Sequence, residues 1–400
     1  MKYFCLRSEV CKLIVNSHHP IVYIYVLGTI YVVFNTFLMR YTMLDELVTV
    51  ILTFYSLNYL HIYKRKEVIT TFSVLLFYLF YSLILKVNQP IAAFYDFAIF
   101  LKPFLCFYIC SGLKVKVPKE TKKLLKYFYL LLAVYLILIS PYISQLYSNT
   151  AAYYSPCIIC AVSYLYFSDR EKKDWVIALM ILTPGLLSIR AKFFTIYLLF
   201  IFIAFFLKDR IKVNLKWVII FLLLATVSIY VSWEKFSHYF IDADEDVART
   251  AFYIHSFNVL KDYFPFGPGF GTYGTEAAAK FYSPLYYKYG LYLVWGLRDI
   301  DYGGTGHDFL KDTFYPVLAQ FGIVGIFLFI FFWYRRWTEA LLLNIENYKI
   351  FIFILFVELI QNIAANSFSG PLGIPLMMMM GMLVNDRSSK FNKNVKQIQR

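Results

Sequence analysis

Charge is scarce in this chain. Asp, Glu, Lys and Arg make up 16% of its 400 residues, while 60% are hydrophobic and 21% aromatic. Mean hydropathy is +0.59. A soluble core of this size needs neither so many aromatic residues nor so few charges, which excludes an ordinary soluble domain. Cysteine is sparse too, at Cys5, Cys11, Cys106, Cys110, Cys157 and Cys160. None falls within residues 233–312, the one long polar stretch, so no disulfide is expected to hold that stretch. CIIC at 157–160 has a redox or zinc spacing, but it lies in an apolar run with no His or carboxylate beside it. Buried packing is the expectation there. The polar stretch has no carboxylate cluster with an evident cation role, and no metal or cofactor is called for. No small-residue cleavage site follows the first apolar run, so no cleavable signal peptide is expected.

What remains is a succession of apolar runs of near-spanning length. These predict an all-α polytopic membrane protein. About twelve spans are expected, near 20–38, 43–62, 69–87, 90–111, 124–140, 150–167, 175–187, 193–207, 216–232, 313–333, 347–365 and 370–385. The formal charge of +14 is unevenly spread. Residues 233–312 hold seven Lys/Arg and eleven Asp/Glu, a net of −4, and the rest of the chain carries +18. That excess sits in short loops between apolar runs, where it orients helices and meets anionic lipid. No nucleic-acid partner is implied. KRKE at 64–67, KVKVPKETKK at 114–123, KDRIK at 208–212, YRR at 334–336 and the basic tail from Arg387 fall on one side. By the positive-inside rule both termini are cytoplasmic and the acidic segment is outside. The chain divides into spans one to nine (1–232), a large, partly helical extracytoplasmic loop (233–312), and spans ten to twelve with the tail (313–400).

The run 175–207 is irregular. As one helix it would be about 50 Å long, against a hydrocarbon core of about 30 Å. TPG at 183–185 and SIRAK at 188–192 interrupt it. Two short spans are the better reading, with the turn holding Arg190 and Lys192 dipping into the outer leaflet. Cations at that depth are costly unless paired or solvated, which makes the turn a functional candidate. The bland alternative for either residue is a snorkelling anchor.

Within the polar stretch, Asp244, Glu245 and Asp246 read as the cap of a helix over 247–263, with Ala248, Phe252, Val259 and Tyr263 on one face. Arg249 sits in its first turn, where the helix dipole disfavours a cation. PFGPGFGTYG at 265–274 reads as a loop, then a tyrosine-dense stretch, then GLRDIDYGGTGHDFL at 296–310. In the spans, Lys102 precedes Pro103, and a buried cation there is a functional candidate. It is six residues from Asp96, about 240° round a helix, so the two are not expected to pair. Glu358, Gln361 and Asn362 share one polar face.

Three of these pieces, in this order, resemble the O-antigen ligase and O-antigen polymerase (Wzy-type) family of bacterial membrane glycosyltransferases. LLSIRAKFF at 186–194 looks like the family's Ser-Arg turn between spans. Arg249 followed by DYFPFGPGFGTY at 262–273 looks like the glycine pattern of its large periplasmic loop. GHDFL at 306–310 with AQFGIVGI at 319–326 looks like that loop's His-Asn end running into a span. Asp308 stands where the ligases usually have Asn, and the Arg-x10-Gly pattern of some polymerases is not found. The resemblance implies an undecaprenyl-diphosphate-linked oligosaccharide donor and a glycan acceptor, a chain-length regulator as possible partner, and location in the bacterial cell membrane. It implies that Arg190 and Arg249 act on the diphosphate, because arginine pairs bidentately with phosphate and stays charged. His307 suits the acceptor hydroxyl, because its pKa lies near the working pH.

Further candidates for substrate contact are Lys192, Gly267, Gly269, Gly271, Lys102, Glu358 and Asp308. Each has a structural alternative. Arg249 could pair with the acids at 242–246, the glycines could form a tight turn, and the tyrosines could be an interfacial belt or a sugar-stacking surface. A polymerase, a ligase and a flippase of similar span number are the competing functions. The eighty-residue external segment argues against the flippase.

Overall fold

Apolar sequence in a membrane has to satisfy its backbone internally, and this chain does so with helices. The computed structural model describes residues 19–38, 44–113, 115, 117–143, 152–211, 226, 248–298, 314–363 and 365–398. These form fourteen α-helices. The first eight are α1 (His19–Leu38), α2 (Leu44–Leu57), α3 (Lys66–Leu85), α4 (Pro90–Gly112), α5 (Lys119–Ile139), α6 (Tyr154–Phe167), α7 (Lys172–Leu182) and α8 (Ala191–Ile201). In the polar stretch lie α9 (Ala248–Asp262), α10 (Glu276–Lys280) and α11 (Pro284–Lys288). The chain ends with α12 (Gly322–Ala340), α13 (Ile345–Gln361) and α14 (Gly373–Ile398).

Among the described residues, four helices are long and apolar enough to cross a membrane: α3, α4, α5 with its continuation to Tyr142, and α12 with the 3-10 turn from Pro316. Shorter apolar helices cover Pro20–Phe34, Tyr154–Phe167, Ala191–Phe206 and Gly373–Asn385. The chain is a multi-pass membrane protein. The expected ninth span and the Asp244–Asp246 cap fall largely or wholly outside the described residues, while the basic tail from Arg387 continues α14 as far as Ile398.

α4 is the central helix, buried along most of its length. It packs against α14, where Gly381 lets the backbone at Phe107 and Ser111 come close. Met377 to Met380 of α14 are fully buried, filling space as flexible thioethers do. Cys106, Cys110, Cys157 and Cys160 are buried free thiols, as expected for the CIIC pair.

Polar contacts sort the bundle into two ends. At the basic end Arg336 pairs with Glu67, Arg65 donates to the Ser111 carbonyl, and Lys126 meets Asp174 at 3.0 Å. Arg170 bonds Asn347 there, Trp175 donates to Glu346 at 2.9 Å, and Arg210 donates to the Leu343 carbonyl at 2.7 Å. The run from α7 to the π turn Phe202–Phe206 therefore starts and finishes at the same end of α13. It folds back as two short segments, with the turn at Arg190 between them. A 3-10 stretch, Thr183–Ser188, and a left-handed Ile189 (φ 49°) make that reversal.

YRR at 334–336 is not a connecting loop. These residues form part of α12, and Arg336 is 0% exposed. Its guanidinium lies over the Phe107 ring (4.3 Å) and the Phe332 ring (4.9 Å), and Glu67 and Glu339 carry the counter-charge. Paired and stacked in this way, the cation does not need to leave the helix bundle.

The polar stretch builds a small core of its own. Ala248, Phe252 and Val259 are buried on the predicted face of α9, joined by Ala251, with Tyr263 half-buried beside them. Tyr273 and Tyr286 pack against Phe252 and are fully buried, which corrects the belt and sugar-platform readings for Tyr286. Tyr273 donates to the Phe252 carbonyl and Tyr282 to the Leu297 carbonyl, each at 2.7 Å. Tyr286 accepts the Gly274 N–H at 3.0 Å. Tyrosine suits this core because its ring supplies apolar area and its hydroxyl satisfies a loop's backbone. On its surface Lys288 and Tyr289 bond Asp262 and hold that carboxyl below the usual range.

Candidate functional site

The glycine-rich loop is seated in a slot between α3, α4 and the turn Pro316–Phe321. Phe270 N–H donates to Ser82 Oγ (2.7 Å), Gly271 N–H to Asp96 Oδ2 (2.8 Å) and Gly269 N–H to the Gln320 carbonyl (2.8 Å). Asn88 Nδ2 donates to the Gly271 carbonyl at 2.6 Å, and Gln320 Nε2 to Asp96 Oδ2 at 3.0 Å. Irregular backbone entering a span's depth has to be covered in this way. Gly269 (φ 93°) and Gly271 (φ 72°) are in the left-handed region. A Cβ on Gly269 would collide with Ser82, and one on Gly271 would sit 2.6 Å from the Ala92 carbonyl oxygen. At Gly267 the neighbours are the backbone of Gln320 and Gly322. The three glycines thus face the protein's own backbone and side chains, and their absent Cβ atoms serve this close approach.

In the sequence Asp96 stands out but has no evident partner, and Ser82, Asn88 and Gln320 are not individually marked. Asp96 carried one signal, a lone acid in an apolar run. The others are small polar residues in unremarkable positions.

Lys102 is buried and bonds Asp45 (2.7 Å) and Glu46 (2.8 Å) in the first turn of α2. It does not pair with Asp96, as the helical spacing requires. The two acids supply its counter-charge within the helix packing, away from the glycine-loop slot.

Arg190, Lys192 and Arg249 each lie near a tyrosine that bonds the C-terminal end of α13, the helix that carries Glu358. Glu358 is 0% exposed, and Gln361 and Asn362 are buried beside it. Glu358 Oε1 and Gln361 Nε2 have no hydrogen-bond partner among the described residues. Asn362 uses its side-chain oxygen to cap the following segment, accepting Ser367 N–H (2.9 Å) and Phe368 N–H (3.0 Å). On one flank Tyr154 donates to Gln361 Oε1 at 2.9 Å. Arg190, at the N-cap position of α8, is within electrostatic reach of that tyrosine, and Lys192 lies 5.6 Å from its ring centroid.

On the other flank Tyr315 donates to the Leu359 carbonyl and Tyr253 to the Ile363 carbonyl, each at 2.7 Å. Tyr253 stands one helical turn from Arg249 on α9, on the same face. Burial pushes its hydroxyl up to about 12 while the Arg249 charge pulls the other way, so it is a neutral donor at working pH. Arg190 and Arg249 are each half-buried, as is Lys192. Tyr154, Tyr253 and Tyr315 carry this arrangement, and no spacing in the sequence marks them. His307 and Asp308 lie outside the described residues.

Chemically, the place combines three cations with a buried acid and amide that each keep one polar atom without a partner among the described residues. Cations with planar or mobile donors suit a phosphate-bearing ligand, and the polar pair suits a hydroxyl-rich one. Among the described residues, no group of three or more His, Cys, Asp or Glu could hold a metal ion. No protein-family model, curated protein or solved structure matches the chain.

Proposed function

We propose that the protein is a membrane glycosyltransferase that joins undecaprenyl-diphosphate-linked oligosaccharide repeat units into a polysaccharide. The observation that carries this reading is the placement of Arg190 and Arg249 about the end of α13. They are some sixty residues apart in sequence, yet each lies one tyrosine away from the same turn of α13. Both belong to motifs that resemble the O-antigen polymerase and ligase family. In the proposed step an acceptor hydroxyl oxygen attacks the anomeric carbon and the bond to the diphosphate breaks. The electron pair leaves with the lipid diphosphate, where Arg190 and Arg249, helped by Lys192, take up the charge. The hydroxyl proton passes to His307, and Glu358 with Gln361 orients acceptor hydroxyls.

The proposed setting is the bacterial cell membrane, with about twelve spans, both termini cytoplasmic and the site on the outer side. The two-ended sorting of polar contacts supports this. The basic connections collect at one end, and the glycine loop with the Arg190 turn at the other. Partners in this reading are the lipid-linked donor, the growing glycan and a chain-length regulator.

Purified protein given only its lipid-linked repeat unit is expected to make a ladder of lengthening products, and His307→Ala to slow it by about 10²–10⁴-fold. Transfer of a single chain, and only when a separate lipid or protein acceptor is supplied, would make it a ligase. That second reading is favoured by the lack of an Arg-x10-Gly pattern. No transfer from any lipid-diphosphate donor would overturn both.

A further inference from the structure

A groove lies on the flank of the bundle, between α3, α4 and α12, and none of Arg190, Lys192, Arg249 or Glu358 lines it. Its cavity is about 320 Å³, and its walls are mostly apolar, including Val74, Leu75, Phe104, Leu328 and Phe331, with the hydroxyls of Thr70, Thr71 and Tyr108 among them. Leu328 and Phe331 are exposed, so the groove opens sideways where lipid would be. One end reaches Tyr78 and Phe321, and the other is bounded by Lys66, Glu67 and Arg335. From Lys66 to Tyr78 along α3 is about 18 Å at 1.5 Å per residue. Half of a 30 Å hydrocarbon core is about 15 Å. The groove is therefore one leaflet deep.

Its polar end has a defined charge. Lys66 and Arg335 are exposed, while Glu67 is already engaged by the buried Arg336. Glu339 is the second counter-charge of Arg336. The two exposed cations are thus left facing the mouth, at the basic end of the bundle.

We propose that this groove binds one acyl chain of an anionic phospholipid from the leaflet at the basic end, with its phosphate held between Lys66 and Arg335. The depth fits a chain that ends at mid-membrane, and the rim matches a phosphodiester in charge. A longer chain would overrun the floor closed by Tyr78, whose hydroxyl donates to the Phe321 carbonyl at 2.7 Å. A zwitterionic lipid would gain less from two cations, since each basic residue near the surface adds several-fold to anionic-lipid binding.

The test is lipid retention by the full chain in detergent, read by native mass spectrometry against equal phosphatidylglycerol and phosphatidylcholine. We expect one tightly held lipid and a preference for phosphatidylglycerol of roughly tenfold. Lys66→Gln with Arg335→Gln, both at exposed positions, is expected to erase the preference. Lys119→Gln with Lys123→Gln removes the same charge elsewhere at that end and is expected to leave it intact. Val74→Trp is expected to fill the groove and release the lipid whatever its head group. Equal retention of the two lipids, or the same loss from both charge pairs, would overturn the proposal. The readout needs no enzymatic activity, so it stands or falls apart from the proposed function.

Discussion

The Asp96 carboxylate accepts the Gly271 N–H at 2.8 Å, across 175 residues of sequence, and so ties the buried middle of the bundle to the polar segment. The same oxygen takes Gln320 Nε2 at 3.0 Å. One acid thus satisfies two donors from elements on either side of the slot. Removing it with Asp96→Ala strands both, at about 1–3 kcal/mol each. The expected outcome is lower thermal stability and faster protease cleavage within 263–275. Gly269→Ala, which forces a Cβ toward Ser82, is expected to do the same by about 1–3 kcal/mol. Unchanged proteolysis in both variants would show that the loop is held by something else.

Lys102 offers a separation of roles. If its work is to neutralise Asp45 and Glu46, Lys102→Met leaves buried acid uncompensated and destabilises by about 3–5 kcal/mol. Adding Asp45→Asn and Glu46→Gln is then expected to recover stability and transfer together. A stable Lys102→Met protein that fails to bind donor would instead place the lysine on the substrate path.

Arg190 lies in a half-buried turn, so its loss is expected to leave the melting temperature nearly unchanged. Arg190→Ala should abolish transfer, and Arg190→Lys should rescue it poorly because the bidentate fork is gone. Full activity in Arg190→Ala at normal expression would remove it from the site.

Reporter fusions or single-cysteine labelling should find residue 280 accessible from outside, and residues 119–123 and 208–211 from inside. An inside position for 280 would reverse the bundle and with it the proposed face of chemistry.

Activity of the purified protein should survive EDTA, since arginines are assigned the charge on the departing diphosphate. Inhibition that magnesium or manganese reverses would replace that assignment.

What the sequence made legible was local. The length of the 175–207 run, set against the bilayer, required a fold-back, and Arg170 and Arg210 do meet the same end of α13. The helix at 248–262 followed from its apolar period. The slot around Gly269 was not legible, because Ser82, Asn88 and Gln320 are ordinary polar residues whose partners lie far along the chain. Tyr154, Tyr253 and Tyr315 escaped for a related reason. In a chain with 36 tyrosines, neither spacing nor composition separates these three from the rest. Arg336 was misplaced because a charge near a span's end reads as loop until Phe107 and Glu67 are seen around it.

The seat of the glycine loop also fixes an order of assembly. Ser82, Asn88 and Asp96 are synthesised well before residue 269, whereas Gln320 comes some fifty residues after it. A chain made from its N-terminus delivers the floor of the slot first, then the loop, and the roof last. The polar segment can therefore rest on α3 and α4 while the chain is still being made, but it is clamped only once the turn before α12 has entered the membrane. A chain stopped before residue 316 would carry the loop's own glycines and every residue of the floor, and still lack the contact that closes the slot.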